Sequence, residues 1–350
     1  MTDKLAPLAK EIADLAKKAT SVDLPEELKE KVSSMIGRLS RMVRFGEYSA
    51  EYEKVAHYLD WVASLPWDKR TQDALNLENA RAILDKNHYG LGQIKERILE
   101  YLAVLNLKKD QKGARRAPIL CFVGLVGTGK TTIAFSIAEA MGRKFARIPF
   151  GGLGDPLDLR GQSRLRPDAE PGLVMKALRR AESKNPVILL DEIDRVTDEG
   201  RASLMGVLVE LLDPEQNAAF QDHFIDFPFD LSEVLFIATG NNTSNISVAV
   251  MDRLEPIQMP SYTDEEKITI ARDYVLPNIL RQTGLSPEVV KITPEVWAQI
   301  VRPLGFDAGL RTLERTVEGI CRKIAKMVVE GKGQNFEVNQ GNVKEFLPTW

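Results

Sequence analysis

The sequence predicts an α/β protein in which helical segments precede and follow a parallel β-sheet. Between residues 118 and 260, short runs rich in Val, Ile, Leu and Phe alternate with helical patterns, and each run ends in Gly, Asp or Asn. Such runs are typical of parallel strands in a sheet that is covered on both faces. Outside this region, apolar residues recur at helical spacing. We therefore expect a helical segment over 1–72, an α/β domain over 73–260 and a small helical domain over 261–350.

The composition is that of an ordinary globular protein. Of the 350 residues, 44% are hydrophobic and 28% charged, and the formal net charge of −3 gives no overall attraction to nucleic acid. Cys121 and Cys321 stand alone in apolar or helical contexts, which predicts buried thiols rather than a disulfide or a metal site. Apolar runs stay well short of the roughly 20 residues that span a bilayer, and the N-terminus lacks a signal-peptide pattern. We expect a cytoplasmic chain with no membrane partner.

The first segment reads as helices. Apolar residues recur at helical spacing over 4–19, a second helix begins near Asp23 and Pro25, and a third runs through Tyr52 to Val62. Because the segment carries no catalytic cluster, we interpret the apolar stripes as helix packing. The alternative is a docking site on an exposed stripe.

More helix is expected over 74–107, broken by "HYGLG" at 88–92, and a basic stretch follows. We interpret the stretch as a solvated loop before a buried strand, the alternative being a DNA-binding patch. Its basic residues are Lys108, Lys109, Lys112, Arg115 and Arg116.

The first apolar run, "ILCFVG", leads into "GLVGTGKT", which matches the phosphate-binding pattern G-x-x-x-x-G-K-[ST]. In this pattern the glycines let successive backbone N–H groups turn toward phosphate, and the N-terminus of the following helix adds partial positive charge. Lys130 is predicted to hold the β- and γ-phosphates of ATP, and Thr131 to bind Mg²⁺. The nucleotide-binding residues predicted here are Gly124, Gly127, Thr128, Gly129, Lys130, Thr131 and Thr132.

The next two apolar runs end in polar residues that suit hydrolysis. "VILLDEID" places Asp191 and Glu192 at the carboxyl end of a buried strand, where open α/β sheets bind ligands. Asp191 is predicted to bind Mg²⁺ through water and Glu192 to polarise the attacking water. "VLFIATGNN" ends in Asn241, whose amide could orient the same water, although an asparagine can also simply terminate a strand. The motifs together predict an ATP hydrolase with ATP and Mg²⁺ as cofactors.

After residue 260 the chain is predicted to be helical again. "TDEEKITIARDYVLPNIL" opens with a capping box from Thr263 to Glu266, and a long helix is expected over about 308–330.

In this order the motifs resemble the AAA+ ATPase module of the Lon protease family. The likeness runs from about residue 47 almost to the C-terminus and is clearest in "AILDKNHYGLGQIKERILEYLAV", "LLDPEQNAAFQDHFIDFPFDLSEVLFIATGN" and "DAGLRTLER". The resemblance implies a P-loop AAA+ nucleotide domain with a small helical lid. It also implies a homo-oligomeric ring, typically a hexamer, that acts on a protein substrate.

The resemblance implies roles for four further residues. Tyr89 and Gly90 would lie near the adenine, and Arg253 in "MDRLE" would reach the γ-phosphate bound by the neighbouring subunit. Arg311 in "GLRTLER" would contact the nucleotide of its own subunit. Without the resemblance, a surface ion pair is the alternative for either arginine.

Two departures from the family concern the phosphate-binding loop and the end of the sequence. Leu125 and Val126 stand where the family usually has two prolines, but the phosphate-contacting residue types remain, so we expect nucleotide binding to survive. The sequence ends at "NVKEFLPTW", about where the serine–lysine protease domain of the family would begin. We therefore expect no peptidase activity from this chain, with a separate protease as a possible partner.

The third departure is in "RGQSRLRPDAEPG", residues 160–172. In the family this pore loop carries an aromatic–aliphatic pair that grips polypeptide, whereas Arg166 and Pro167 occupy those positions here. The loop has either lost this function or changed its partner, for example to an acidic segment or nucleic acid, because a guanidinium prefers carboxylates, phosphates or π faces.

Three functions remain open from the sequence. The first is a ring ATPase that remodels or threads a protein partner. The second is a nucleotide-gated assembly or scaffold module with weak turnover. The third is a DNA-associated ATPase, whose affinity for DNA would depend steeply on salt.

Overall fold

The computed structural model describes residues 5–44, 50–108, 118–302 and 309–348. Of the basic stretch, only Lys108 falls within these ranges. The rest of that stretch and the first two residues of the "DAGLRTLER" run lie outside the described residues.

Helices make up most of the described chain. Before the sheet they are α1 Leu5–Thr20, α2 Glu26–Arg44, α3 Ala50–Ser64, α4 Leu77–Asn87 and α5 Gly92–Leu107. Between the strands they are α6 Lys130–Met141, α7 Leu157–Arg160, α8 Leu173–Ala181, α9 Arg201–Leu212 and α10 Val248–Met251. After the sheet they are α11 Asp264–Ile270, α12 Leu276–Thr283, α13 Trp297–Val301, α14 Arg311–Val329 and α15 Val343–Phe346.

The central sheet has five parallel strands in the order β2-β3-β6-β1-β7. The strands are β1 Ile119–Val123, β2 Phe145–Pro149, β3 Val187–Asp191, β6 Leu235–Gly240 and β7 Leu254–Gln258. The prediction of a parallel sheet is confirmed, and β1, β3 and β6 are the three apolar runs. Strands β2 and β7 were not predicted, because each of these edge strands has only two buried residues and contains a proline, so neither forms a continuous apolar run. A short antiparallel pair lies apart from this sheet, β4 Phe220–Gln221 with β5 Pro228–Phe229.

Both faces of the sheet are covered. Successive residues of one strand enter different cores: Cys121 and Ile188 belong to one, Phe122 and Leu189 to the other. The first core continues through α8 and α9 into the N-terminal helices α1 to α3, and the second is closed by α4, α5 and α6. The front helices therefore pack on the α/β domain, as expected from the interpretation of their apolar stripes as helix packing.

The region after residue 260 has its own core. It contains helices α11 to α15 and a short parallel pair, β8 Val290–Ile292 with β9 Phe336–Val338. These two strands were not predicted because three residues are too few for a period-two pattern. The capping box is confirmed: the Glu266 N–H donates to Thr263 Oγ1 at 3.3 Å and the Thr263 N–H to Glu266 Oε2 at 2.8 Å.

Cys121 and Cys321 are both buried and unbridged, and burial raises the pKa of the Cys121 thiol to about 12. Among the described residues, no helix is both long and apolar enough to cross a bilayer.

Candidate nucleotide site

The phosphate-binding loop joins the carboxyl end of β1 to the first residue of α6. Gly127 and Gly129 have φ of 82° and 92°, the left-handed region that glycine adopts without strain. A Cβ at Gly124 would lie 2.7 Å from the Met259 carbonyl oxygen, so this position has no room for a side chain. Alternating right- and left-handed residues are typical of the backbone nests that bind anions, and left-handed residues stand here at every second position. Leu125 and Val126 leave this geometry intact.

The Lys130 ammonium is folded back into the loop. Its Nζ donates to the carbonyl oxygens of Gly124 at 2.6 Å and Leu125 at 2.9 Å, and to Asn241 Oδ1 at 3.1 Å. Burial lowers the pKa of Lys130, and the nearby Glu192 and Asp191 carboxylates oppose that shift. A buried ammonium held by weak neutral acceptors is a cation that a phosphate group can recruit.

Asp191 ends β3 with its carboxylate almost fully buried. Its Oδ1 accepts hydrogen bonds from Thr239 Oγ1 at 2.5 Å and from Thr131 Oγ1 at 3.5 Å. The two residues predicted to share Mg²⁺ are therefore neighbours. The described residues hold no cluster of three or more His, Cys, Asp or Glu side chains that could bind a metal by themselves. This donor set fits Mg²⁺, which is usually bound by one or two protein oxygens together with phosphates.

Glu192 follows directly, in a strained conformation. Its φ is 58°, which is uncommon for a residue with a side chain and recurs at functional sites. Its backbone N–H donates to Thr239 Oγ1 at 2.9 Å, so the same hydroxyl is bound to both residues of the acidic pair. The Glu192 carboxylate stays partly exposed, with Arg195 Nη1 at 3.6 Å.

Asn241 follows β6, the neighbour of both β1 and β3. Its Oδ1 accepts from Lys130, whereas its Nδ2 is buried without a hydrogen-bond partner among the described residues. A buried donor of this kind requires an explanation, and a bound acceptor such as a phosphate oxygen or a held water supplies one. Next to it, the Asn242 N–H donates to Asp194 Oδ2 at 3.3 Å, which connects the residues after β6 to those after β3.

The lid contacts the phosphate loop from the other side. The Leu310 N–H donates to the Gly127 carbonyl oxygen at 3.0 Å, immediately before α14 begins. Arg311 is the first residue of α14, and its charge adds to burial in lowering the pKa of Lys130. Tyr262 Oη donates to the Thr128 carbonyl oxygen at 3.4 Å. The structure thus brings Arg311 near Lys130.

The turn between α4 and α5 carries the residues assigned to adenine. Tyr89 is 37% exposed and contacts Tyr274 of the lid edge to face, with 6.4 Å between ring centroids. Gly90 has a φ of 65°, and a Cβ there would lie 3.5 Å from Glu266 Oε1. The turn therefore faces the lid.

Two residues that the sequence did not single out hold this turn. His88 is buried with its Nε2 2.9 Å from Ser136 Oγ of α6, and burial lowers its pKa to about 4. Lys95 Nζ donates to the His88 carbonyl oxygen at 2.6 Å. A histidine beside a tyrosine and glycine at a helix break is the only local signal that could have suggested them.

Arg253 is not part of this group. It immediately precedes β7, where its carbonyl oxygen accepts from Ile119 N–H at the amino end of β1. The phosphate loop follows Val123 at the other end, four residues further along the pair, or roughly 13 Å. The guanidinium instead contacts Asp213 Oδ2 at 2.9 Å and the Ala249 carbonyl oxygen at 2.8 Å.

The loop over 161–172 is anchored by contacts at its base and exposed at its tip. The Gly172 N–H donates to the buried Asp222 carboxylate at 2.7 Å, and a Cβ at Gly172 would lie 2.0 Å from the Leu159 carbonyl oxygen. Arg166 and Pro167 are exposed, as expected for residues at the tip. Leu165, which the sequence did not single out, is 92% exposed.

One side of this loop rests on the N-terminal helices. The Arg164 guanidinium lies 4.1 Å from the centre of the Tyr58 ring and 3.1 Å from Asp226 Oδ2. His57 Nε2 is 3.3 Å from Glu170 Oε1. Arg164 is therefore held by contacts within the chain, whereas Arg166 is exposed at the tip.

The parallel sheet, the glycine loop before α6 and the acidic pair beside it define a P-loop ATPase of the AAA+ class. Residues 120–262 match the family model of ATPases associated with various cellular activities, AAA. Residues 281–336 match the model of the Lon protease AAA+ ATPase lid domain.

Curated relatives agree with both models. The chain is 45% identical over 337 residues to the Lon protease of Syntrophus aciditrophicus, covering 96% of this chain and 42% of that protein. It is 44% identical over 334 residues to the Lon protease of Heliobacterium modesticaldum, covering 95% and 40% respectively. For Lon protease 2 of Thermus thermophilus the identity is 41% over 345 residues, covering 96% and 42%. The chain belongs to the AAA+ ATPases as a module of the Lon protease family, and it spans about two fifths of the length of these relatives.

Proposed function

We propose that this ATPase module binds Mg²⁺-ATP between the α/β domain (73–260) and the lid (261–350), hydrolyses it within a ring of copies, and uses the hydrolysis to remodel or thread a polypeptide. The observation that carries the proposal is the buried Asn241 Nδ2, a donor without a partner beside Lys130. Because unpaired buried donors are rare in native proteins, a ligand that offers oxygen acceptors is the natural partner for it.

Each side chain at this edge of the sheet has a separate task in the proposal. Lys130 exchanges its carbonyl partners for the β- and γ-phosphate oxygens. Asp191 and Thr131 hold the metal, which neutralises charge on the phosphates. Glu192, whose carboxylate stays partly exposed, accepts a hydrogen bond from the attacking water and draws its proton away. Asn241 Nδ2 donates to the same water or to the γ-phosphate.

The location of Arg253 supports a ring. This arginine lies at the amino edge of the sheet, opposite the phosphate loop, and is held there by Asp213. It can meet a γ-phosphate only when that phosphate belongs to another copy. An arginine placed in trans in this way is worth about 10³–10⁵ in rate. We therefore propose that assembled copies hydrolyse ATP and separate copies do not.

A polypeptide is the partner that we propose, because the curated relatives are named proteases. The loop over 161–172 offers it an exposed leucine beside an arginine, Leu165 and Arg166, on a base fixed by Asp222. The contact of the lid with the phosphate loop supplies the link from hydrolysis to movement, since lid rotation changes the shape of the ring.

A second candidate function rests on the same loop. Arg166 and Pro167 stand at the tip in place of the gripping pair that the family resemblance implies. A chain with this change could assemble on ATP as a gated scaffold and turn over slowly without threading. The two candidates differ in their response to unfolded protein.

The test compares nucleotide binding with hydrolysis in matched variants. We expect Lys130→Ala to lose ATP binding, and Glu192→Gln to bind ATP but hydrolyse it about 10²–10⁴-fold more slowly. Casein should raise the ATPase rate of the wild-type chain, and Arg166→Ala together with Leu165→Ala should reduce that stimulation. Turnover that ignores casein favours the scaffold. Hydrolysis by Glu192→Gln at the wild-type rate would contradict the catalytic assignment.

A further inference from the structure

Asp191, the carboxylate that the proposed function assigns to Mg²⁺, is paired with an arginine of the neighbouring strand. Strand β2 lies beside β3, with Arg147 opposite Leu189 and Pro149 opposite Asp191. The Arg147 side chain extends toward the carboxyl edge of the sheet. Its Nε and Nη2 both contact Asp191 Oδ2, at 2.7 and 2.6 Å. None of the roles proposed for the nucleotide site involves this arginine.

With this pairing, both oxygens of the Asp191 carboxylate accept hydrogen bonds. Asp191 Oδ2 accepts two charge-assisted hydrogen bonds from Arg147, and Oδ1 accepts from Thr239 and Thr131. A cation that approaches Asp191 must therefore compete with a guanidinium that is already in place. Such two-donor contacts to one carboxylate are a property of arginine, whose planar fork of donors lysine lacks.

The two partners differ in their freedom to move. The Asp191 side chain is 5% exposed and ends a central strand, whereas the Arg147 side chain is 52% exposed. Arg147 can withdraw into solvent by rotation of its side chain alone, and Asp191 cannot leave. If the ion pair breaks, it is therefore the Arg147 side chain that moves away.

We propose that Arg147 is a positioning residue that occupies Asp191 until Mg²⁺ arrives with the nucleotide and displaces it. This inference rests on the proposed function, specifically on Asp191 as a metal-binding carboxylate. In the absence of metal, Arg147 keeps a buried carboxylate neutralised, which avoids the penalty of an unpaired buried charge. In its presence, the arginine raises the metal concentration that the site requires.

Replacing Arg147 should affect one quantity in the absence of metal and another in its presence. Without metal, replacing Arg147 by glutamine leaves Asp191 unneutralised near the phosphates, so the affinity for ADP falls. With metal, the competitor is absent, so the half-saturating Mg²⁺ concentration falls. If the ion pair forms in nine of ten molecules, its removal lowers that concentration by about tenfold.

The experiment measures ADP binding to the full chain by calorimetry, first in EDTA and then at fixed ADP during titration with MgCl₂. The variants are Arg147→Gln, Arg147→Lys and the control Arg180→Gln, an exposed arginine in the last turn of α8 that donates to the Lys176 carbonyl oxygen. We expect Arg147→Gln to bind ADP more weakly in EDTA and to need about tenfold less Mg²⁺. Arg147→Lys should shift both in the same directions by less, and Arg180→Gln should shift neither.

Equal losses of ADP affinity with and without metal, at an unchanged half-saturating Mg²⁺ concentration, would assign Arg147 a purely structural role and overturn the inference. Should Arg147→Gln fail to fold, Arg147→Lys decides by the same two readouts. A wild-type chain whose ADP binding ignores Mg²⁺ would remove the metal assignment and this inference together. A wild-type chain that depends on Mg²⁺ beside an unshifted Arg147→Gln would remove this inference alone.

Discussion

The Leu310 backbone N–H donates to the Gly127 carbonyl oxygen at 3.0 Å, so the longest lid helix begins against the phosphate loop. Gly309 fits there because it has no side chain: a Cβ would lie 2.3 Å from the Val126 carbonyl oxygen. Whatever moves this loop must therefore move the lid, and the position of the lid must in turn influence the loop.

Gly309→Ala tests this contact. The added methyl cannot be accommodated against backbone, so the lid must shift away from the loop. We expect the free energy of ADP binding to become less favourable by about 1–3 kcal/mol. Calorimetry measures it, with Gly37→Ala as the control, since a Cβ there meets nothing closer than 3.7 Å. Equal ADP affinity in the two variants would show that lid and loop act independently.

Thr239→Val tests the hydroxyl shared by the acidic pair. Valine has a similar volume but cannot accept from the Glu192 N–H or donate to Asp191. We expect the free energy of unfolding to fall by about 1–3 kcal/mol. Because Glu192 loses its anchor, the ATPase rate should fall by about 10–100-fold. Thr269→Val, at a half-buried position in α11 where the hydroxyl donates to the Glu265 carbonyl oxygen, is the control, and a Thr239→Val chain that matches it in both readouts would refute this role.

His88 makes stability depend on pH. Burial, assisted by the Lys95 charge, lowers its pKa from 6.5 to about 4. Below pH 6.5 the His88 imidazole of the unfolded chain binds a proton, whereas in the folded chain it stays neutral down to about pH 4. The free energy of unfolding therefore falls as pH falls through this window, by up to about 3 kcal/mol.

Urea unfolding of wild type and His88→Gln at several pH values measures this effect, because other titrating groups cancel in the difference. The stability advantage of wild type over His88→Gln should shrink by about 3 kcal/mol between pH 7 and pH 4. A difference that stays constant with pH would mean that His88 does not titrate as described.

The candidate site residues could be predicted because each lies at the end of a buried strand, directly after one, or within a glycine pattern. Lys130, Asp191 and Asn241 are of this kind, and the structure brings them together. Arg147 and Thr239 could not be predicted, because their contacts depend on the order β2-β3-β6 of the strands, which no local pattern encodes.

Two other features were missed for similar reasons. The exposure of Leu165 depends on the turn in which the Arg166 N–H donates to the Ser163 carbonyl oxygen at 3.0 Å. Matching positions to a family pattern pointed instead to Arg166 and Pro167. The contact between Leu310 and Gly127 joins segments that are distant in sequence, and only the packing of the lid brings them together.

Mixing two inactive variants tests whether Arg253 acts between copies. Arg253→Ala keeps its own Glu192, and Glu192→Gln keeps its own Arg253. We expect Arg253→Ala alone to lose about 10³-fold in rate. In randomly mixed rings about a quarter of the sites combine an intact glutamate with an intact neighbouring arginine, so activity should return. A mixture as inactive as its components, with both variants assembling like wild type, would place Arg253 outside the reaction in trans.

Whether hydrolysis requires assembled copies is measured by the ATPase rate per subunit as a function of protein concentration, with and without casein. We expect a rate per subunit that rises steeply with concentration, reaches a plateau, and rises further with casein. A rate per subunit that stays constant down to concentrations at which the copies are separate would mean that each chain hydrolyses ATP alone, in contradiction to a ring.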